Sequence, residues 1–184
     1  MLTYNRADIG TLISRGRDHF VYNYGSESVI KFSIIDYING DHTKALEDYA
    51  LCQTYFGKYL LSTEFTLSTN GKYLGKIQPK IIGRYLWKKD IEDPALRTQF
   101  EEINTGYQAM MQDGKPVIDF IGQPGLVRQC MSNIFVTPDK RLLIIDATLV
   151  GQKGVHSTFL KIFFYFARIV LVWRQAALIK SFIR

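Results

Sequence analysis

Asn133 and Asp146 stand thirteen residues apart, at the two ends of a stretch that reads as a β-hairpin: Asn133–Thr137, a turn at Pro138-Asp139-Lys140, then Arg141–Asp146. An asparagine offers a neutral carbonyl oxygen and an aspartate a charged one, both hard ligands of the kind Mg²⁺ takes. A hairpin brings its ends together, so residues distant in sequence can share one cation. Asp146 follows the apolar run Leu142-Leu143-Ile144-Ile145, where a charge is costly without a partner. Asp119, in Val117-Ile118-Asp119-Phe120-Ile121-Gly122, is an acid among apolar residues with the same need. The plainer account makes Asn133 and Asp146 turn residues and pairs Asp119 with a nearby cation such as Arg128. Lys31 and Glu47, taken alone, would be a surface lysine on an edge strand and a solvated helix residue.

The elements that must position these side chains fall in a simple order. Ile9–Ile13, His19–Tyr24 and Val29–Ser33 are apolar, β-branched and aromatic runs joined by short polar turns, which predicts an antiparallel meander. Asp41-His42-Thr43 offers a helix start, and Lys44–Tyr59 runs on without proline. Leu60–Phe65 and Lys72–Pro79 read as two further strands around the turn Ser68-Thr69-Asn70-Gly71. Asp93-Pro94 is a cap followed by a first-turn proline and predicts a helix to about Gln112. The hairpin 133–146 follows, and the chain from Ser157 reads as helical. The expected fold is α+β. A five-stranded antiparallel lobe with one helix (residues 1–82) precedes a short, mainly helical lobe (83–184) that carries the hairpin.

This order, together with short motifs at fixed places in it, resembles the protein kinase-like fold, including aminoglycoside-phosphotransferase-like small-molecule kinases. The resemblance covers Ile9 to about Val150. It implies ATP and Mg²⁺ bound in an inter-lobe cleft. Val29-Ile30-Lys31-Phe32 is similar to the family's third-strand signature, whose lysine reaches the α- and β-phosphates. Glu47 stands where a helical glutamate holds that lysine, with Asp48 beside it. Ser14–Val21 occupies the place of the glycine-rich phosphate loop, with only Gly16 left of the usual three glycines. Arg17, like Arg15, could supply the missing charge. Ile77–Gly83, with Gln78 and Lys80, resembles the hinge that reads the adenine edge. Asn133 and Asp146 match the two metal ligands.

The pattern also departs from the family. The catalytic-loop aspartate, five residues before the asparagine, is replaced by Arg128, and no carboxylate lies between Phe120 and Asn133. Either the protein binds nucleotide without transferring phosphate, or the carboxylate comes from elsewhere, with Asp119 as candidate base. Arg128 could then contact phosphate. Asp146 is followed by Ala147, not glycine, and only 38 residues remain after it, so a peptide-binding surface is in doubt. The acceptor is a protein or small-molecule hydroxyl that the sequence does not identify.

Composition bounds the alternatives. The 184 residues are 47% apolar with a net charge of +6, enough for a core and favouring anionic partners. Cys52 and Cys130 form no metal pattern and read as reduced thiols of a cytoplasmic protein. The first ten residues lack the apolar core of a signal peptide. Helix-turn-helix, zinc and RNP signatures are missing, which argues against nucleic acid. Phe159–Arg184 is mostly apolar, and Lys161, Arg168 and Gln175 recur every seven residues as a narrow polar stripe. This reads as a core helix whose long polar side chains reach water. The rival reading is a basic helix lying on an anionic membrane surface.

Overall fold

The computed structural model describes residues 2–15, 19–33, 42–122, 130–149 and 158–183. Gly16, Arg17 and Arg128 lie outside the described residues, as do the side chains of Lys161 and Arg168. The fold is α+β, and its packing separates two units. One comprises Met1–Glu47 and Leu61–Ile81; the other comprises Asp48–Leu60 and Ile82–Arg184. The sequence assigned the whole first helix to the first lobe, whereas Asp48–Leu60 packs in the second unit.

The first unit is a sheet of six strands in the order β1-β5-β6-β4-β3-β2: β1 (Leu2–Thr3), β2 (Ile9–Arg15), β3 (His19–Tyr24), β4 (Ser28–Ser33), β5 (Glu64–Leu67) and β6 (Leu74–Pro79). Strands β2 to β6 form a five-stranded antiparallel sheet, and the two-residue β1 adds to β5 in parallel. No sequence pattern marks β1, which is too short to show a period. Turn chemistry fixes the β3–β4 register: Gly25 holds φ at +62°, where a side chain would be strained. On one face Phe32 meets Tyr4 and Tyr22 edge-on, with ring centroids 5.5 and 6.0 Å apart, beside the fully buried Ile30. A Cβ on Gly75 would sit 2.8 Å from Ile30 Cδ1, so the glycine in β6 makes room for that isoleucine.

Helix α1 (Thr43–Phe56) buries Ala45, Asp48, Cys52 and Phe56 along one face. In the second unit, β7 (Arg84–Trp87), β8 (Cys130–Val136) and β9 (Leu142–Ile144) form an antiparallel sheet in that order. β7 is absent from the sequence reading, since only Leu86 of its four residues is buried and a bulge interrupts its pairing. Helix α2 (Pro94–Gln112) starts as expected: the Asp93 side chain accepts from Ala95 N at 2.9 Å, and Pro94 opens the first turn. Its core face is Leu96, Phe100, Ile103, Tyr107 and Met110. Helix α3 (Thr158–Ile183) closes the core, with Phe182 stacked 5.3 Å from Phe100. Phe120 sits at the centre, 5.7 Å from both Phe56 and Tyr107. Among the described residues, no helix is long and apolar enough to cross a membrane.

Candidate functional site

Asp119, Asn133 and Asp146 come together in the second unit through a continuous run of hydrogen bonds. Segment 117–122 lies beside β8: Asn133 N donates to Phe120 O at 3.1 Å, and Ser132 Oγ donates to Ile121 O at 2.5 Å. On its other side the segment meets the chain beyond β9, where Asp119 N donates to Thr148 O at 2.9 Å and Ile118 bridges to Leu149. Thr148 Oγ1 in turn donates to Asp146 Oδ1 at 2.9 Å, and Ile145 N donates to Asn133 O at 2.9 Å. The apolar neighbours Ile118 and Phe120 are buried to 0% and 1% exposure, which anchors the peptide that bears Asp119.

The Asn133 side chain has a defined orientation. Its Nδ2 donates to the Asp119 carbonyl oxygen at 2.7 Å, which turns Oδ1 the other way, toward Gly122. A Cβ on Gly122 would fall 2.7 Å from Asn133 Oδ1 and 2.4 Å from Ser132 Oγ. The residue also holds φ at +69°, so glycine is required there on two counts. The sequence reading passed over Gly122. An aspartate followed three residues later by glycine is the signal that could have found it.

Asp119 is engaged in the same turn. Its Oδ1 accepts from Ile121 N at 2.9 Å and from Gly122 N at 3.0 Å, an Asx turn that caps the segment. One oxygen of the candidate base therefore organises backbone.

Helix α1 adds a third acid near this corner. Glu47, the expected helical carboxylate, is exposed, whereas Asp48 is buried at 3% exposure. The phase of α1 decides this, because Asp48 shares a face with the fully buried Cys52. Cys52 Sγ lies 3.9 Å from Ala147 O. Its thiol is pushed up to about 12, first by burial and then by the negative charges of Asp48 and Asp146. Cys52 thus lies near the carboxylates of Asp48 and Asp146. Asn133 Oδ1 and the Asp146 carboxylate are a hard-oxygen pair of the kind Mg²⁺ uses when phosphate and water complete its shell. Among the described residues, no group of three or more His, Cys, Asp or Glu is arranged to hold a metal.

The remaining expected residues lie in the first unit. Lys31 is central in β4, paired with Val21 of β3 and directly opposite Lys76 of β6. Directly opposed residues share a sheet face, so Lys31 and Lys76 extend from the same side of the sheet. Gln78 is buried, and its Nε2 donates to Thr63 Oγ1 at 2.8 Å. Lys80 is exposed; its Nζ donates to Ser26 O at 2.5 Å and its N to Glu27 O at 2.8 Å, which ties it to the β3–β4 turn.

The other end of the β7–β8 pair has a pocket of about 540 Å³, bordered by Ile82, Arg84, Asp90, Asp93, Thr137 and Lys140. Four of its charges are matched in pairs. Arg84 holds Asp90 through two contacts at 2.5 and 2.7 Å, and Lys140 holds Asp93 at 2.7 Å. Burial alone would raise the Asp90 carboxyl, but Arg84 and the Trp87 amide together hold it below the usual carboxylate range.

The C-terminal helix supplies a residue whose role the sequence did not reveal. Gln175, expected in a water-facing polar stripe, is 2% exposed. Its Nε2 donates to Ile118 O and its Oε1 accepts from Phe120 N, both at 2.8 Å. The amide clamps the peptide on both sides of Asp119, so its polarity is satisfied by backbone and not by water. Compared with family models and with curated proteins, the chain matches none.

Proposed function

We propose that the chain is a two-lobed, kinase-like protein that binds ATP with Mg²⁺ and moves the γ-phosphate to a protein or small-molecule hydroxyl. The observation that supports this most is the clamp on Asn133, whose amide nitrogen is held by the Asp119 carbonyl at 2.7 Å so that its oxygen faces the Gly122 notch. Asn133 Oδ1 and Asp146 would hold Mg²⁺, and Lys31 would meet the α/β-phosphates, with Lys76 adding positive charge on the same sheet face. When bound, Mg²⁺ neutralises charge on the phosphate oxygens. In transfer, the acceptor oxygen bonds to the γ-phosphorus as the bond to the bridging oxygen breaks. The acceptor's proton passes to a base, for which Asp119 is the candidate.

Nucleotide binding without transfer is the second reading. It is favoured by the two backbone amides that already occupy Asp119 Oδ1. Thermal unfolding with Mg-ATP tests binding. A ligand at a hundredfold excess over Kd stabilises by about 2.7 kcal/mol, which is a rise in Tm of roughly 5–10 °C for a chain of this size. The rise should require Mg²⁺ and vanish in Asp146→Ala; no rise in the native chain refutes the proposal. ATP turnover then separates the readings. Asp119→Asn keeps an oxygen for the turn but removes the base. Loss of turnover with the thermal shift retained supports transfer; no turnover in the native chain supports the second reading.

A further inference from the structure

Helix α3 presents two different apolar faces. Gln175, Ile179 and Phe182 are buried in the core. On the outer side Ile169, Val170, Trp173 and Ile183 are exposed, Val170 at 65% and Trp173 at 77%. With the exposed Ala176 and Ala177 they follow helical spacing and form one continuous stripe. An apolar stripe of this kind, with a tryptophan near its centre, is costly in water and marks a contact surface.

Charge indicates what the surface contacts. The helix carries no acidic residue, and Lys180 is set among Trp173, Ala176 and Ala177 on the outer side. Lys180 is exposed. A second copy laid along this face would offer Lys180 no acid on α3 to meet. A surface of anionic lipid matches both features, since it accepts apolar side chains below its headgroups and basic ones at its phosphates. We propose that the outer face of α3 rests on an anionic membrane surface, with Val170 and Trp173 entering the headgroup region and Lys180 meeting lipid phosphate. The inner face stays in the core, so the helix lies along the membrane without leaving the fold. This inference stands apart from the nucleotide reading and uses none of its residues.

The test is cosedimentation of the full chain with vesicles of phosphatidylcholine, with and without phosphatidylglycerol. Binding is expected to the anionic vesicles and to weaken at high salt. The double variant V170S/W173A should weaken it about tenfold through lost apolar burial. Lys180→Glu should weaken it about tenfold or more by charge reversal. Both variants change exposed positions, so an unaltered Tm is the accompanying control; if V170S/W173A does not fold, Lys180→Glu decides alone. Three results overturn the proposal. They are no binding to either vesicle, binding unchanged in the variants, and a concentration-dependent dimer in solution that Trp173→Ala dissolves.

Discussion

Replacing Gln175 by leucine should destabilise the protein more than any surface change, although no sequence pattern marks the residue. The side chain is 2% exposed and makes two hydrogen bonds of 2.8 Å, one given to Ile118 O and one taken from Phe120 N. Leucine has nearly the same bulk but neither group. Each backbone polar group left buried and unsatisfied costs about 1–3 kcal/mol. The two together come to about 2–6 kcal/mol, and leucine's own apolar burial returns about 1–2 kcal/mol of that. A net loss of about 3 kcal/mol is expected, which lowers Tm by roughly 6–12 °C at this chain length. Scanning calorimetry measures it, and amide exchange locates it, since the Phe120 amide loses its acceptor. Because the clamp holds the peptide on both sides of Asp119, faster exchange should extend to Asn133 N, which bonds Phe120 O. A Tm within about 1 °C of the native value, with Phe120 still protected, would refute the argument, because a change that small leaves no room for two orphaned groups.

Four further outcomes follow from the same geometry. Gly122→Ala should cost about 1–3 kcal/mol from its left-handed φ of +69° and should abolish the Mg-ATP thermal shift by displacing Asn133 Oδ1; differential scanning with and without nucleotide reads both. Glu47→Ala should leave stability within about 0.5 kcal/mol and the nucleotide shift intact, while Asp48→Ala should reduce that shift; equal effects of the two would reject the assignment of Asp48 to the site. Cys52, raised to about 12, should resist alkylation near pH 8 in the folded protein and react on addition of urea, as mass spectrometry of trapped adducts would show. The Arg84–Asp90 pair lowers the folded pKa of Asp90, so its contribution is complete above the ordinary carboxylate range and lost as pH falls through the lower folded value. Asp90→Asn should therefore flatten the acid side of a stability–pH curve and lower stability at neutral pH by no more than about 3 kcal/mol.

The residues read from sequence came together where local chemistry alone determined their position. Asn133 and Asp146 flank a hairpin, and a hairpin's ends meet whatever else the chain does. Asp119 was conspicuous as an acid in an apolar run, and its Asx turn shows how that acid is satisfied. Glu47 and Asp48 required helical phase. Ala45, Asp48, Cys52 and Phe56 fall on one face at helical spacing, and that face is buried. A wheel drawn on α1 places Asp48 on the buried face and Glu47 on the exposed one. β7 was not legible because three of its four residues are exposed, so it shows no alternation.

Gln175 was misread for a deeper reason. A polar residue repeating at sevens on an apolar helix has two physical solutions: it reaches water, or it meets buried backbone that lacks partners of its own. Sequence periodicity is the same for both. The choice belongs to segment 117–122, an extended stretch whose Ile118 carbonyl and Phe120 amide point into the core and must be paired there. The helix that answers this need is fixed by its inner face, through Gln175, Ile179 and Phe182. Its outer face is left to water by the same geometry, because burying Gln175 turns Val170 and Trp173 outward. The demand for two backbone hydrogen bonds beside Asp119 thus determines which apolar stripe of α3 is exposed. A variant that loses the clamp should lose the orientation of that stripe as well, and vesicle binding by Gln175→Leu should fall along with its stability.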